Sequence, residues 1–145
     1  MSRGFTLVEV LVVLVILGIA AAVVVPALPR MAEEDPLARS AEEVTNLLRR
    51  SRRTALERGA PVALTVDADA NRYWVEIYEH GEWRRLVEDE VALSADASLT
   101  AEAGRAHFVF RPDGRAQGDP LGVRYGARGT QIALDPWLGD ARAAR

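Results

Sequence analysis

The chain has no cysteine among its 145 residues, which excludes disulfide staples, thiolate metal sites and cysteine nucleophiles together. Its stability has to come from packing. Histidine is almost as scarce, and His80 and His107 stand in a turn pattern and a strand pattern with no partner at zinc-site or triad spacing. Serine is sparse, and neither a G-x-S-x-G elbow nor a phosphate-cradling glycine loop occurs. No catalytic site, metal or cofactor is therefore expected. A dominant charge sign is missing too: 18 basic and 21 acidic residues leave a net charge of −3, too little to argue for nucleic acid or an anionic membrane surface as a general partner.

What the chain does have is one long apolar run. Residues 5–25, FTLVEVLVVLVILGIAAAVVV, contain a single charge, Glu9. A helix of that length, rising ~1.5 Å per residue, spans a bilayer core of about 30 Å. Arg3 and the initiating amine precede the run and favour a cytoplasmic N-terminus with export of everything after Pro26, although Arg30 weakens the asymmetry. A secretory signal would place several positive charges before a shorter core and a small-residue cleavage site after it. Four residues leave no room for that. A carboxylate near the middle of a membrane helix costs on the order of 2–3 kcal/mol, less at shallower depth. Glu9 therefore either snorkels to the interface or has a partner.

The residues Gly4-Phe5-Thr6-Leu7-Val8-Glu9 resemble the processing motif of type IV pilins and type II secretion pseudopilins. The resemblance implies that prepilin peptidase cuts between Gly4 and Phe5, that the new Phe5 amine is N-methylated, and that Glu9 pairs with the Phe5 amine of a neighbouring subunit. Burying either charge alone is unfavourable, whereas together they offset much of the desolvation and set the stagger between subunits. Gly18 and Pro26 also resemble features of the pilin helix, in which the stretch between such residues loses helical hydrogen bonds on assembly. Pro26 and Pro29 lack amide donors and disfavour helix at Val25 and Leu28; the alternative is that they mark only the membrane exit.

Beyond residue 36, Leu37, Ala41, Val44, Leu48, Ser51 and Ala55 advance by steps of four and three, one stripe along a helix that Gly59 and Pro61 end after Arg58. The pattern then changes to short alternating or β-branched runs at 62–66, 72–78, 83–87, 106–110, 122–125 and 130–134, with hairpin turns at His80-Gly81 and Pro112-Asp113-Gly114. The expected organisation is a leader at 1–4, a transmembrane assembly helix at 5–25, an amphipathic continuation at 26–58, a β-rich head at 61–138 and a flexible tail at 139–145. The fold class is α+β: a long N-terminal helix packed on an antiparallel sheet or sandwich.

This order is similar to the minor pseudopilin H (GspH) and FimT family, as are the hairpin at 73–86 with Trp83 after its turn and the segment Phe110-Arg111-Pro112-Asp113-Gly114-Arg115-Ala116. The resemblance implies a non-enzymatic minor pseudopilin that supports protein export across the outer membrane. It would cross the inner membrane once, with its head in the periplasm. Its partners would be other pseudopilins, major and minor, prepilin peptidase and the inner-membrane secretion platform. The alternative is a FimT-like minor type IV pilin that binds DNA through a basic Gly-Arg motif. Here Leu138-Gly139-Asp140-Ala141-Arg142 places aspartate where arginine is wanted, leaving Arg142 and Arg145 as the DNA contacts. A membrane-tethered enzyme using the span as an anchor is the reading from another class.

Other constellations have plainer explanations. Asp67-Ala68-Asp69-Ala70-Asn71 starts like a calcium loop, but Arg72 replaces its glycine and Tyr78 its closing glutamate, so a polar turn is expected. Glu88-Asp89-Glu90 reads as a solvated loop. Arg49, Arg50, Arg52, Arg53 and Arg58 form the densest basic patch, diluted along the same helix by Glu33, Glu34, Glu42, Glu43 and Glu57, which favours a solvated or inter-subunit face over phosphate contact. Trp74, Trp83 and Trp137 are expected to pack in the core or at its edge.

Overall fold

The computed structural model describes residues 7–24 and 35–144. The chain divides into two units, residues 1–34 and 35–145. The first contains helix α1, Leu7–Val24. The second opens with α2, Pro36–Arg58, whose start and stop are written locally. The Asp35 carboxylate accepts a hydrogen bond from the Leu37 amide at 3.1 Å, Pro36 occupies the first turn where a missing N–H costs nothing, and Gly59 closes the helix at φ 63°. Residues 26–34 of the expected continuous helix lie outside the described residues.

Nine strands follow among the described residues: β1 Val62–Asp67, β2 Arg72–Glu79, β3 Glu82–Glu90, β4 Ala97–Ala101, β5 Arg105–Phe110, β6 Ala116–Gly118, β7 Leu121–Tyr125, β8 Arg128–Leu134 and β9 Ala141–Ala144. They make two antiparallel sheets, one in the order β3-β2-β1-β5-β6 and the other β4-β7-β8-β9. Both expected hairpins form. His80 and Gly81 adopt φ of 55° and 90°, the two-residue turn whose twist matches the flanking strands. Around Pro112-Asp113-Gly114 the amide of Arg111 bonds the Arg115 carbonyl at 2.9 Å.

The amphipathic stripe falls where its spacing puts it. Ala41, Val44, Leu48, Ser51 and Ala55 are buried and Leu37 is partly so, packed with Val62, Leu64, Val66, Ile77, Phe108 and Phe110 from the first sheet and Leu121, Val123 and Ile132 from the second. Helix α2 thus fills the space that both sheets face. Its buried hydroxyls are satisfied: Thr45 donates to the Ala41 carbonyl at 2.8 Å and Ser51 to the Leu47 carbonyl at 3.1 Å. The Ser40 hydroxyl oxygen accepts from the Ser94 amide at 3.0 Å, tying the loop after β3 to the helix.

The flexible tail expected at 139–145 is corrected in its larger part. Ala141–Ala144 is strand β9, paired with Leu134 through Gln131 of β8, and Ala141 is 1% exposed. Alanine and arginine carry little strand preference of their own, so no local pattern betrayed it. Gly139 makes the turn into β9 at φ +62°, where a Cβ would stand 2.5 Å from the Gly114 carbonyl oxygen. Strands β4 and β6 also escaped the sequence pattern, β6 having only three residues.

Leu48, 1% exposed at the centre of the stripe, is expected to dominate the packing of α2. Leu48→Ala should cost about 2–5 kcal/mol, read as a lowered urea midpoint with an unchanged slope.

Candidate assembly site

Helix α1 has no amphipathic pattern at all. From Leu7 to Ile19 every side chain is exposed, the large apolar ones by 48–82%, so no stripe is reserved for a core within this chain. Such a surface has to be covered by lipid or by other helices. At ~1.5 Å per residue its 18 residues extend about 27 Å, slightly less than a bilayer core of about 30 Å. Among the described residues no helix is long and apolar enough to cross a membrane.

Glu9 stands in the first turn of α1. A carboxylate there faces the positive end of the helix dipole, and it is the one charge on an otherwise apolar surface. Helix α1 runs through Gly18 unbroken, and a Cβ on Gly18 would meet nothing within 4 Å, so packing within this chain does not require the glycine. Gly4, Phe5 and Pro26 lie outside the described residues.

On the head, the sites weighed from sequence resolve into ion pairs and turns. Asp67 accepts from the Ala70 amide at 3.0 Å and from Arg105 Nε at 2.9 Å, and those two bonds, the amide first, hold its carboxyl below the usual range. It caps a β1–β2 turn. Glu88 pairs with Arg72 at 3.0 Å and Arg85 at 2.7 Å, and lies in β3 with Asp89 and Glu90, not in a loop. Among the described residues, no group of three or more histidine, aspartate or glutamate side chains is placed to hold a metal ion. His107 Nδ1 lies 2.9 Å from the Thr65 hydroxyl, and His80 sits in the hairpin turn.

The basic patch is split by the fold. Arg49 turns toward Asp140 at 3.6 Å, Arg52 lies against Gly139 with its Nε buried and no hydrogen-bond partner, and Arg53 is exposed. Arg142 donates from Nε to Asp140 at 3.1 Å. That hydrogen bond, ahead of the charge of Arg49, holds the Asp140 carboxyl below its usual value. The aspartate in the Gly-Asp-Ala-Arg stretch therefore offsets both neighbouring arginines. Arg145 is outside the described residues.

The tryptophans depart from expectation in part. Trp74 is half-buried between Arg85 and Arg105, whose guanidinium carbons lie 5.3 and 5.9 Å from its ring centre. Trp83 is 47% exposed beside Tyr78, and Trp137 is 77% exposed. The reason is local to residues 135–139: the Asp135 carboxylate accepts from the amides of Trp137 and Leu138, both at 2.9 Å, and its carbonyl from Gly139 at 2.7 Å. These three hydrogen bonds close the turn, and both apolar side chains are exposed on it. Asp135-Pro136 was its only signal in the sequence.

Residues 1–25 match the prokaryotic N-terminal methylation motif. Residues 40–139, more than half of the chain, match the family described as type II transport protein GspH. The chain belongs to the GspH family. It is thus a member of a type II transport family, and its fold is α+β. Among solved structures it is similar to the type IV minor pilin FimU of Pseudomonas aeruginosa, at 14% identity and a TM-score of 0.62, covering 79% of this chain and 92% of that one. It is also similar to the minor pseudopilin EpsH of the Vibrio cholerae type 2 secretion system, at 14% identity and a TM-score of 0.55, covering 76% and 97%. At such identities the likeness concerns the fold. No curated protein matches the sequence.

The pair closing the start of α2 gives this GspH head an acid-sensitive contact. Arg128 grips Asp35 with both nitrogens at 2.8 Å, and this fork, followed by the Leu37 amide, keeps the Asp35 carboxyl below its ordinary value. A depressed folded pKa contributes stability above the unfolded value of about 3.9 and loses it as pH falls through the lower folded value. Asp35→Asn should therefore flatten the acid limb of the unfolding midpoint against pH below about 4, leaving the shape near neutrality unchanged.

Proposed function

We propose that prepilin peptidase matures this GspH protein between Gly4 and Phe5, that the new Phe5 amine is N-methylated, and that the subunit enters a short pseudopilus through the helix that follows. The carrying observation is α1: an apolar helix with every described side chain from Leu7 to Ile19 exposed and one carboxylate, Glu9, in its first turn. Glu9 pairs with the Phe5 amine of the neighbouring subunit and sets the register between them. The stretch from Gly18 to Pro26 gives up helical hydrogen bonds as the helices pack.

Before assembly the protein is anchored in the inner membrane by a single span, N-terminus in the cytoplasm and head in the periplasm. There the head meets major and minor pseudopilins above the inner-membrane secretion platform, and the filament supports protein export across the outer membrane. The role is structural, not catalytic. The DNA-uptake alternative depends on Arg142 and Arg145. The bond from Arg142 to Asp140 supports the secretion reading instead, because it neutralises a charge that phosphate would need.

Intact-mass and N-terminal analysis of the membrane-purified protein should give a chain that begins at N-methyl-Phe5. Glu9→Ala should leave the head folded and the leader processed while lowering filament incorporation at least several-fold. A chain that still begins at Met1, or normal incorporation of Glu9→Ala, would overturn the assembly mechanism. The soluble head should leave duplex DNA unretarded in a gel shift at low salt; salt-sensitive retardation would favour the pilus alternative.

A further inference from the structure

Strand β3 is an outer edge of the first sheet and the longest such edge among the described strands: nine residues, against five in β4, three in β6 and four in β9. Eight of its nine residues are exposed. It contains no proline or lysine, two of the devices that keep edges from pairing. Its charges are ordered instead: Arg84-Arg85-Leu86-Val87-Glu88-Asp89 reads basic, apolar, acidic. Set antiparallel to itself about the Leu86–Val87 bond, the strand faces Arg84 with Asp89, Arg85 with Glu88 and Leu86 with Val87.

In a regular strand that register is forbidden, because residues three or five apart project from opposite faces. The β2–β3 ladder removes the obstacle. A bulge interrupts it between Val75 and Glu76, so Arg85 lies opposite Glu76 and Glu88 opposite Trp74. Glu76 and Trp74 are two apart on β2 and share a face, so Arg85 and Glu88 share it too. Their own ion pair at 2.7 Å confirms this. By the same ladder Arg84 and Asp89, opposite Ile77 and Tyr73, share the other face, and Trp83 and Glu90, opposite Tyr78 and Arg72, share that of Arg85. The extra residue, Leu86, falls at the centre of the charge pattern, and it turns a mismatched register into one in which each facing charged pair lies on a common side.

From this we infer that β3 docks against β3 of a second copy of this chain, joining the two five-stranded sheets across a two-fold axis. The occupant is specified by the pattern: opposite charges meet at four places only if the partner strand is the same strand inverted. The ion pairs that Arg84 and Arg85 now make with Glu79, Glu76 and Glu88 are solvent-exposed, so sharing them with a partner copy costs little. The contact belongs to the head and does not depend on how α1 assembles.

A charge-swap experiment on the full chain in density-matched detergent tests the contact by sedimentation equilibrium. The wild type should show a reversible monomer–dimer equilibrium. The Arg84→Glu/Arg85→Glu chain and the Glu88→Arg/Asp89→Arg chain should each associate at least about tenfold more weakly, since like charges then face each other at all four places. Mixed one to one, the two variants should recover dimerisation, because every facing pair is again opposite. A monomeric wild type, single variants that dimerise as well as wild type, or a mixture that stays monomeric would each overturn the proposal. Should either variant fail to fold by circular dichroism, single-cysteine chains replace them in this cysteine-free background. Arg85→Cys mixed with Glu88→Cys should give a disulfide heterodimer well above either alone, and equal cross-linking in all three samples would overturn the proposal.

Discussion

An apolar helix that its own chain leaves exposed is the constraint on which the rest of this protein depends. The large side chains of α1 from Leu7 to Ile19 are exposed. Hydrophobic surface of that extent, at about 25 cal/mol per Å², makes exposure to water untenable and association obligatory. The second unit holds a core of its own. It does so with α2 set between two sheets, so that one helix stripe serves both, and with the buried hydroxyls of Ser40, Thr45, Ser51 and Thr65 each hydrogen-bonded.

Charge on the head is arranged locally. Several arginines lie beside a carboxylate, as in Arg49 with Asp140, Arg84 with Glu79 and Arg115 with Asp113. Exposed pairs of this kind contribute little to stability. Of the basic patch that the α2 sequence suggests, they engage Arg49, which lies beside Asp140. The head also exposes apolar and edge-like features: Trp137 and Leu138 on the 135–139 turn, Tyr78 and Trp83 at the hairpin tip, and the open side of β3. These are features suited to protein neighbours, in keeping with a subunit whose family works by assembly.

The sequence by itself determined whatever depends on neighbours a few residues apart. The apolar run with Glu9, the stripe from Leu37 to Ala55, the stop at Gly59 and the two hairpin turns rest on helical or strand period and on backbone preference, and all are visible along the chain. The family motif at residues 4–9 is of this kind too. Tertiary structure alone decided the remainder. Strand β9 exists because β8 offers a ladder and α2 a surface for Ala141, and nothing in Ala-Arg-Ala-Ala asks for it. Trp137 points outward because two amides converge on Asp135. The palindromic charge order of β3 can be read in the sequence, but its meaning cannot: whether Arg85 and Glu88 share a face depends on a bulge against β2, and a one-residue shift between paired strands is invisible until both are in place.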